Sequence, residues 1–94
     1  MLHAERQHAE AEAHYRVALA VRPDHPTAAF NLGIVLEDLG RFPEAVRAYE
    51  QAVMADPELA DAYFNLSRLY QATGNRTAAF WSLSQYRRLG PNRR

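Results

Sequence analysis

The sequence predicts an all-α fold of antiparallel helix pairs, about five helices in all. Three observations carry that expectation. The 94-residue chain matches itself at an offset of 34. Its apolar residues recur at helical spacing between glycine and proline punctuation. No stretch alternates apolar and polar residues for long enough to make a strand. At the offset of 34, Phe30, Asn31, Leu32 and Gly40 meet Phe64, Asn65, Leu66 and Gly74. Pro23, Pro57 and Pro91 fall in line, as do Ala11, Ala45 and Ala79. Tyr15, Tyr49 and Leu83 share one large apolar position, and Ala18 and Ala52 share a small one.

The first helix, about residues 4–21, carries Ala11, Tyr15, Ala18 and Leu19 on one side. Arg22-Pro23 closes it, because a proline pushes the residue before it out of the helical region. Asp24-His25-Pro26 makes the next turn. Residues 27–39 form the second helix, with Phe30, Leu32, Val35, Leu36 and Leu39 at helical spacing. Gly40 stops it, since glycine accepts the left-handed conformation of a helix cap. Pro43 then falls in the first turn of the third helix, where its missing N–H costs nothing. Ala45, Val46, Tyr49, Ala52 and Val53 are the buried stripe of that helix, and Asp56-Pro57 ends it. The cycle repeats as a helix over 60–73, a turn at Gly74-Asn75, a helix over 77–89 and a stop at Gly90-Pro91. Trp81, the one tryptophan, is expected half-buried against the preceding helix.

Composition excludes several function classes. There is no cysteine, hence no disulfide, thiolate metal site or cysteine nucleophile. That fits a reducing, cytoplasmic setting. No apolar run is long enough for a membrane span, and the polar, acidic N-terminus resembles neither a secretory signal nor a transit peptide. The formal net charge of zero gives no bulk attraction to nucleic acid. The charge is nonetheless uneven. Residues 1–61 hold 11 acids and 5 arginines, a net of −6, whereas residues 62–94 hold 6 arginines and no acid. Two readings stay open: ordinary fluctuation in a short chain whose arginine usage reflects a GC-rich genome, or an electrically polar module. The latter would dock head to tail or offer its C-terminal end to an anionic partner.

The period of 34, the central glycine, the small alanines and the closing proline together resemble the tetratricopeptide repeat. Residues 26–59 match best. Leu32-Gly33 looks like the family's Leu-Gly pair, Gly40 its turn glycine and Phe42 its turn aromatic, while Leu36 stands where an aromatic is usual. Ala45, Tyr49, Ala52 and Pro57 look like the alanine, aromatic, alanine and proline of the second helix. Residues 60–93 match with departures at Ser67, Arg76 and Tyr86, and read as a last repeat ending in a capping helix and a polar tail. Residues 1–25 look like a half repeat with only its second helix. The resemblance implies one domain over 1–94 and a right-handed superhelix of stacked pairs.

It also implies a non-enzymatic protein–protein interaction module whose first helices line a concave groove. Carried over position by position, the groove set is Thr27, Phe30, Asn31, Ile34 and Glu37, then Asp61, Phe64, Asn65, Arg68 and Gln71. Two side-chain amides on one face offer donors and acceptors to an extended peptide backbone. Phe30 and Phe64 are either ligand anchors or packing between helices. One variant of the family clamps a C-terminal carboxylate with basic residues. Here Phe30 and Phe64 take those places and lysine is absent, so that ligand is not expected.

No cofactor is expected. His3, His8, His14 and His25 lie five, six and eleven positions apart in turn, and none is three or four from the next, the separation a helical pair of metal ligands needs. No Ser/His/Asp order, nucleophile elbow or glycine-rich phosphate loop is present, and the adjacent carboxylates Glu37 and Asp38 diverge on a helix. Two alternatives to peptide capture remain. An apolar edge at Tyr15 and Leu19 on the unpaired first helix would support a homodimer. The segment would otherwise be a regulatory part of a larger bacterial protein, such as a transcriptional regulator or transferase.

Overall fold

The computed structural model describes residues 2–90, with side chains from Arg6 onward. Pro91, Arg93, Arg94 and the side chain of His3 lie outside the described residues. Five helices follow in order: α1 (Leu2–Val21), α2 (Pro26–Asp38), α3 (Phe42–Ala55), α4 (Ala60–Ala72) and α5 (Arg76–Leu89). There is no strand among the described residues. Each helix packs chiefly on its neighbours in sequence, α2 with α3 and α4 with α5 most closely. That is the contact pattern of a one-dimensional stack.

The two turns inside the pairs are the same structure twice. Gly40 has φ 78° and Gly74 has φ 86°, a backbone that side chains with a Cβ rarely adopt. In the first turn, Gly40 N–H donates to Glu37 O at 2.9 Å and Arg41 N–H to Leu36 O at 2.9 Å. In the second, Gly74 N–H donates to Gln71 O at 3.2 Å and Asn75 N–H to Tyr70 O at 2.8 Å. Both are the two-bond cap in which a left-handed glycine satisfies the last carbonyls. Side chains cap the starts of α2 and α5: Ala28 N–H donates to His25 Nδ1 and Ala78 N–H to Asn75 Oδ1, each at 3.2 Å.

Small residues set the distance between helices. Ala29, Ala45, Ala52 and Ala62 are fully buried at the contacts, and Leu32, Leu36, Tyr49 and Leu66 fill the space beside them. Gly33 lies against the face of Tyr49: a Cβ there would come within 2.6 Å of the ring. The second repeat solves the same problem differently. Leu83 stands where Tyr49 would be, and Ser67 stands where Gly33 would be. The shorter side chain leaves room for the hydroxymethyl group, whose Oγ donates to Phe64 O at 2.7 Å.

One expectation from the sequence is corrected. Tyr15 and Leu19 do not form an open edge on α1. Leu19 is buried, and Tyr15 packs against the same core as Leu32 and Leu36. Their stripe is consumed by α1 docking on the pairs, and the apolar residues α1 leaves outside are Val17 and Val21. Trp81 meets the preceding helix α4 through an edge contact with Tyr63, ring centroids 5.8 Å apart, and at 55% exposed it is about half-buried, as expected.

Charge also fastens α1. Arg41, at the start of α3, donates to Glu12 at 2.8 and 3.1 Å and to Glu44 at 2.6 and 2.9 Å. Arg16 donates to Glu12 at 2.8 Å. The hydrogen bonds from Arg41 hold the carboxyls of Glu12 and Glu44 below their ordinary value. A carboxylate with a depressed folded value contributes stability that is fully present above its unfolded value and lost as the pH falls through the folded one. The unfolding free energy is therefore expected to decline once the pH drops below about 4.5, the ordinary value of both groups. Glu12→Gln should make that acid decline shallower, as urea unfolding at neutral and acid pH would show. An unchanged slope would deny the network a role.

Candidate functional site

The ten groove residues expected from the sequence fall on α2 and α4. Residues 27, 30, 31, 34 and 37 share one face of α2, and 61, 64, 65, 68 and 71 share the matching face of α4. All ten are partly or well exposed, while Leu32, Leu36, Leu66 and Leu69 on the opposite side are in the core.

A polar cluster bridges the two helices. Glu37 Oε1 accepts from the Tyr49 hydroxyl at 2.9 Å and from Arg68 Nη2 at 3.3 Å. Glu37 Oε2 lies 2.8 Å from Arg68 Nη1. Arg68 Nη2 also donates to Asn65 Oδ1 at 3.1 Å. The guanidinium carbon stands 5.9 Å from the centre of the Phe64 ring, within reach of its electron-rich face. The Glu37 hydrogen bond raises the Arg68 pKa further. Burial first, then the bond to Glu37, pushes the Tyr49 phenol well above its ordinary value. Arg68 is thus a held cation and Tyr49 a neutral donor across the accessible pH range.

The two aromatic candidates are packed on their own repeats. Phe30 lies 5.7 Å from the Tyr49 ring, and Phe64 lies 4.9 Å from the Tyr86 ring. Tyr86 departs from the small residue expected at its place, and Phe64 is what it packs against. Phe64 still keeps 39% of its surface open and Ile34 keeps 36%. The side chains of Thr27, Asn31, Ile34, Asp61 and Gln71 have no hydrogen bond or ion pair among the described residues. The cluster therefore divides the face into a committed part, Glu37–Arg68–Asn65, and an uncommitted part around Asn31, Ile34 and Asp61.

Sequence reasoning missed Tyr49 as a polar member of this face, having placed it as core only. It also missed Arg41 as the residue that ties α1 to α3. The i, i+3 spacing of Arg41 and Glu44 was a visible signal; the pairing of Arg41 with Glu12, 29 positions away, was not. Two of the histidines make contacts within the fold: His25 caps α2, and His8 Nε2 lies 3.3 Å from Asp38 Oδ2. No cluster of three metal-ligating side chains exists among the described residues. A depression of about 400 Å³ between α4 and α5 adjoins this face at Gln71 and is lined also by Ser67, Arg76, Ala79, Phe80 and Leu83. Among the described residues no helix is long and apolar enough to cross a membrane.

Stacked antiparallel pairs, with one open face built from the first helix of each pair, define a helical-repeat protein. The chain belongs to the tetratricopeptide repeat family: two models of that repeat match it, over residues 1–56 and 36–80. It is 43% identical over 54 residues to the protein O-mannosyl-transferase Tmtc2 of Drosophila melanogaster, a match covering 57% of this chain and 6% of that one. The solved structure of MamA superposes with a TM-score of 0.84 at 23% identity, over 88% of this chain and 48% of that chain. YrrB, described as a TPR protein with an unusual peptide-binding site, superposes with a TM-score of 0.79 at 25% identity, over 93% of this chain and 45% of that chain. The chain thus spans a small part of the curated relative and about half the length of the solved proteins.

Proposed function

We propose that the chain is a non-enzymatic adaptor that holds an extended segment of a protein partner on the α2–α4 face. The observation that carries this is Asn31. Its amide is partly exposed, is the repeat counterpart of Asn65, and has no side-chain partner among the described residues. An uncommitted donor–acceptor pair beside open aromatic and aliphatic surface suits a peptide backbone. The peptide-binding description attached to YrrB lends support from a structural neighbour. Within this reading, residues 1–25 act as a half repeat with only its second helix, 26–59 and 60–93 supply the face, and the setting is cytoplasmic and bacterial. Self-association is the weaker reading, because in the Tyr15–Leu19 edge that would support it Leu19 is buried and Tyr15 is packed against the core.

The test is capture from lysate by immobilised chain, with wild type and Asn31→Ala/Asn65→Ala compared side by side. Partners retained by the wild type should be lost from the double variant while helicity by circular dichroism stays within a few per cent, since both residues lie outside the core. Identical capture by both proteins would remove the asparagines from the site.

A further inference from the structure

Arg68 is the one cation among the ten face residues, which also include two carboxylates, Glu37 and Asp61. Its side chain is 46% exposed, but its charge is already paired. Both Nη groups are directed at Glu37, at 2.8 and 3.3 Å, and Nη2 is shared with Asn65. Glu37 is held as firmly: its side chain is 18% exposed and Oε1 also accepts from Tyr49. A ligand carboxylate approaching Arg68 has two options, both unfavourable. It displaces Glu37 and leaves a largely covered carboxylate without its countercharge. Otherwise it settles beside Glu37 and meets a like charge. The face's remaining charge is Asp61, exposed and without a side-chain partner among the described residues. Its apolar surface is Ile34 and the open part of the Phe64 ring.

Resting on the face assigned above, we propose that Glu37 sets the class of ligand. By neutralising Arg68 it leaves the groove selective for an extended segment with neutral or basic side chains around an apolar anchor, and against an acidic one. Asp61 attracts the basic groups, Ile34 and Phe64 take the anchor, and Asn31 holds the backbone. Glu37 acts here through Arg68, so it is a specificity-setting residue and not a ligand contact.

Three fluorescein-labelled, C-terminally amidated peptides test this. They share the same alternating leucines and differ only in carrying arginine, serine or glutamate between them. Anisotropy titrations would compare wild type, Glu37→Gln, Arg68→Gln and Asn31→Ala/Asn65→Ala. Wild type is expected to bind the arginine peptide about three- to tenfold more tightly than the glutamate peptide. That ratio should shrink as salt is added. Glu37→Gln keeps an acceptor for Tyr49 and releases Arg68, so the ratio should fall to unity or invert. Arg68→Gln leaves Glu37 uncompensated, so the ratio should widen. Because the two variants move the ratio in opposite directions, a loss of stability common to both cannot mimic the result. The proposal is overturned, with the face itself intact, if wild type prefers the glutamate peptide or if neither variant changes the ratio while the double asparagine variant abolishes binding. Binding of no peptide, or binding indifferent to the asparagines, overturns the face and this proposal together.

Discussion

Gly33→Ala is expected to destabilise the chain by about 3 kcal/mol, the upper range for forcing a methyl group into a packed core. The added Cβ would lie 2.6, 2.7 and 2.9 Å from three atoms of the Tyr49 ring. Tyr49 has nowhere to retreat. It is fully buried, its ring packs on Phe30, and its hydroxyl is tied to Glu37 on the same helix as Gly33. The second repeat supplies the compensating change, with Ser67 opposite Leu83. Gly33→Ser should therefore be strongly destabilising alone but partly rescued by Tyr49→Leu, with a coupling of at least about 1 kcal/mol in a double-mutant cycle. Urea unfolding followed by circular dichroism measures all four corners. Strictly additive effects would mean that the glycine and the tyrosine do not constrain each other.

The other large effect belongs to Leu36. It is 1% exposed, in the last turn of α2, within the core cluster built by residues of α1, α2, α3 and α4. Leu36→Ala removes three carbons from a site whose neighbours are held by two helix pairs, so little collapse can follow. A cost of about 3–4 kcal/mol is expected, a large fraction of the roughly 5–10 kcal/mol net stability of a small domain. Met54→Ala serves as the comparison. Met54 is 83% exposed on α3, and its truncation should shift stability by no more than about 0.5 kcal/mol. A cost below about 1 kcal/mol at Leu36 would contradict its place in the core.

Much of the fold was legible in the sequence because its information is local. The expected helices over 27–39 and 77–89 appear as Pro26–Asp38 and Arg76–Leu89, differing only at their ends. Gly40 and Gly74 could be assigned as left-handed caps because the need for a positive φ is a property of one residue and its immediate neighbours. The face on α2 and α4 was legible as a set of positions for the same reason: helical spacing fixes which residues share a side.

What those residues do to one another was not legible. Glu37 and Arg68 are 31 positions apart, and Glu12 and Arg41 are 29 apart. No helical periodicity links such pairs, and their meeting depends on how far each helix rotates as it docks. The same rotation decided Tyr15 and Leu19. Periodicity placed them together on one side of α1 but could not say whether that side met the core or stood open.

The sequence by itself determined the repeat, its five helices, their caps and the residues sharing each face, since all of these follow from short-range backbone geometry and spacing. Only the tertiary structure decided which apolar stripe was buried, why glycine must oppose tyrosine where serine opposes leucine, and that the single arginine of the α2–α4 face is already claimed by Glu37. Those outcomes depend on distances between helices, set by packing across the whole stack.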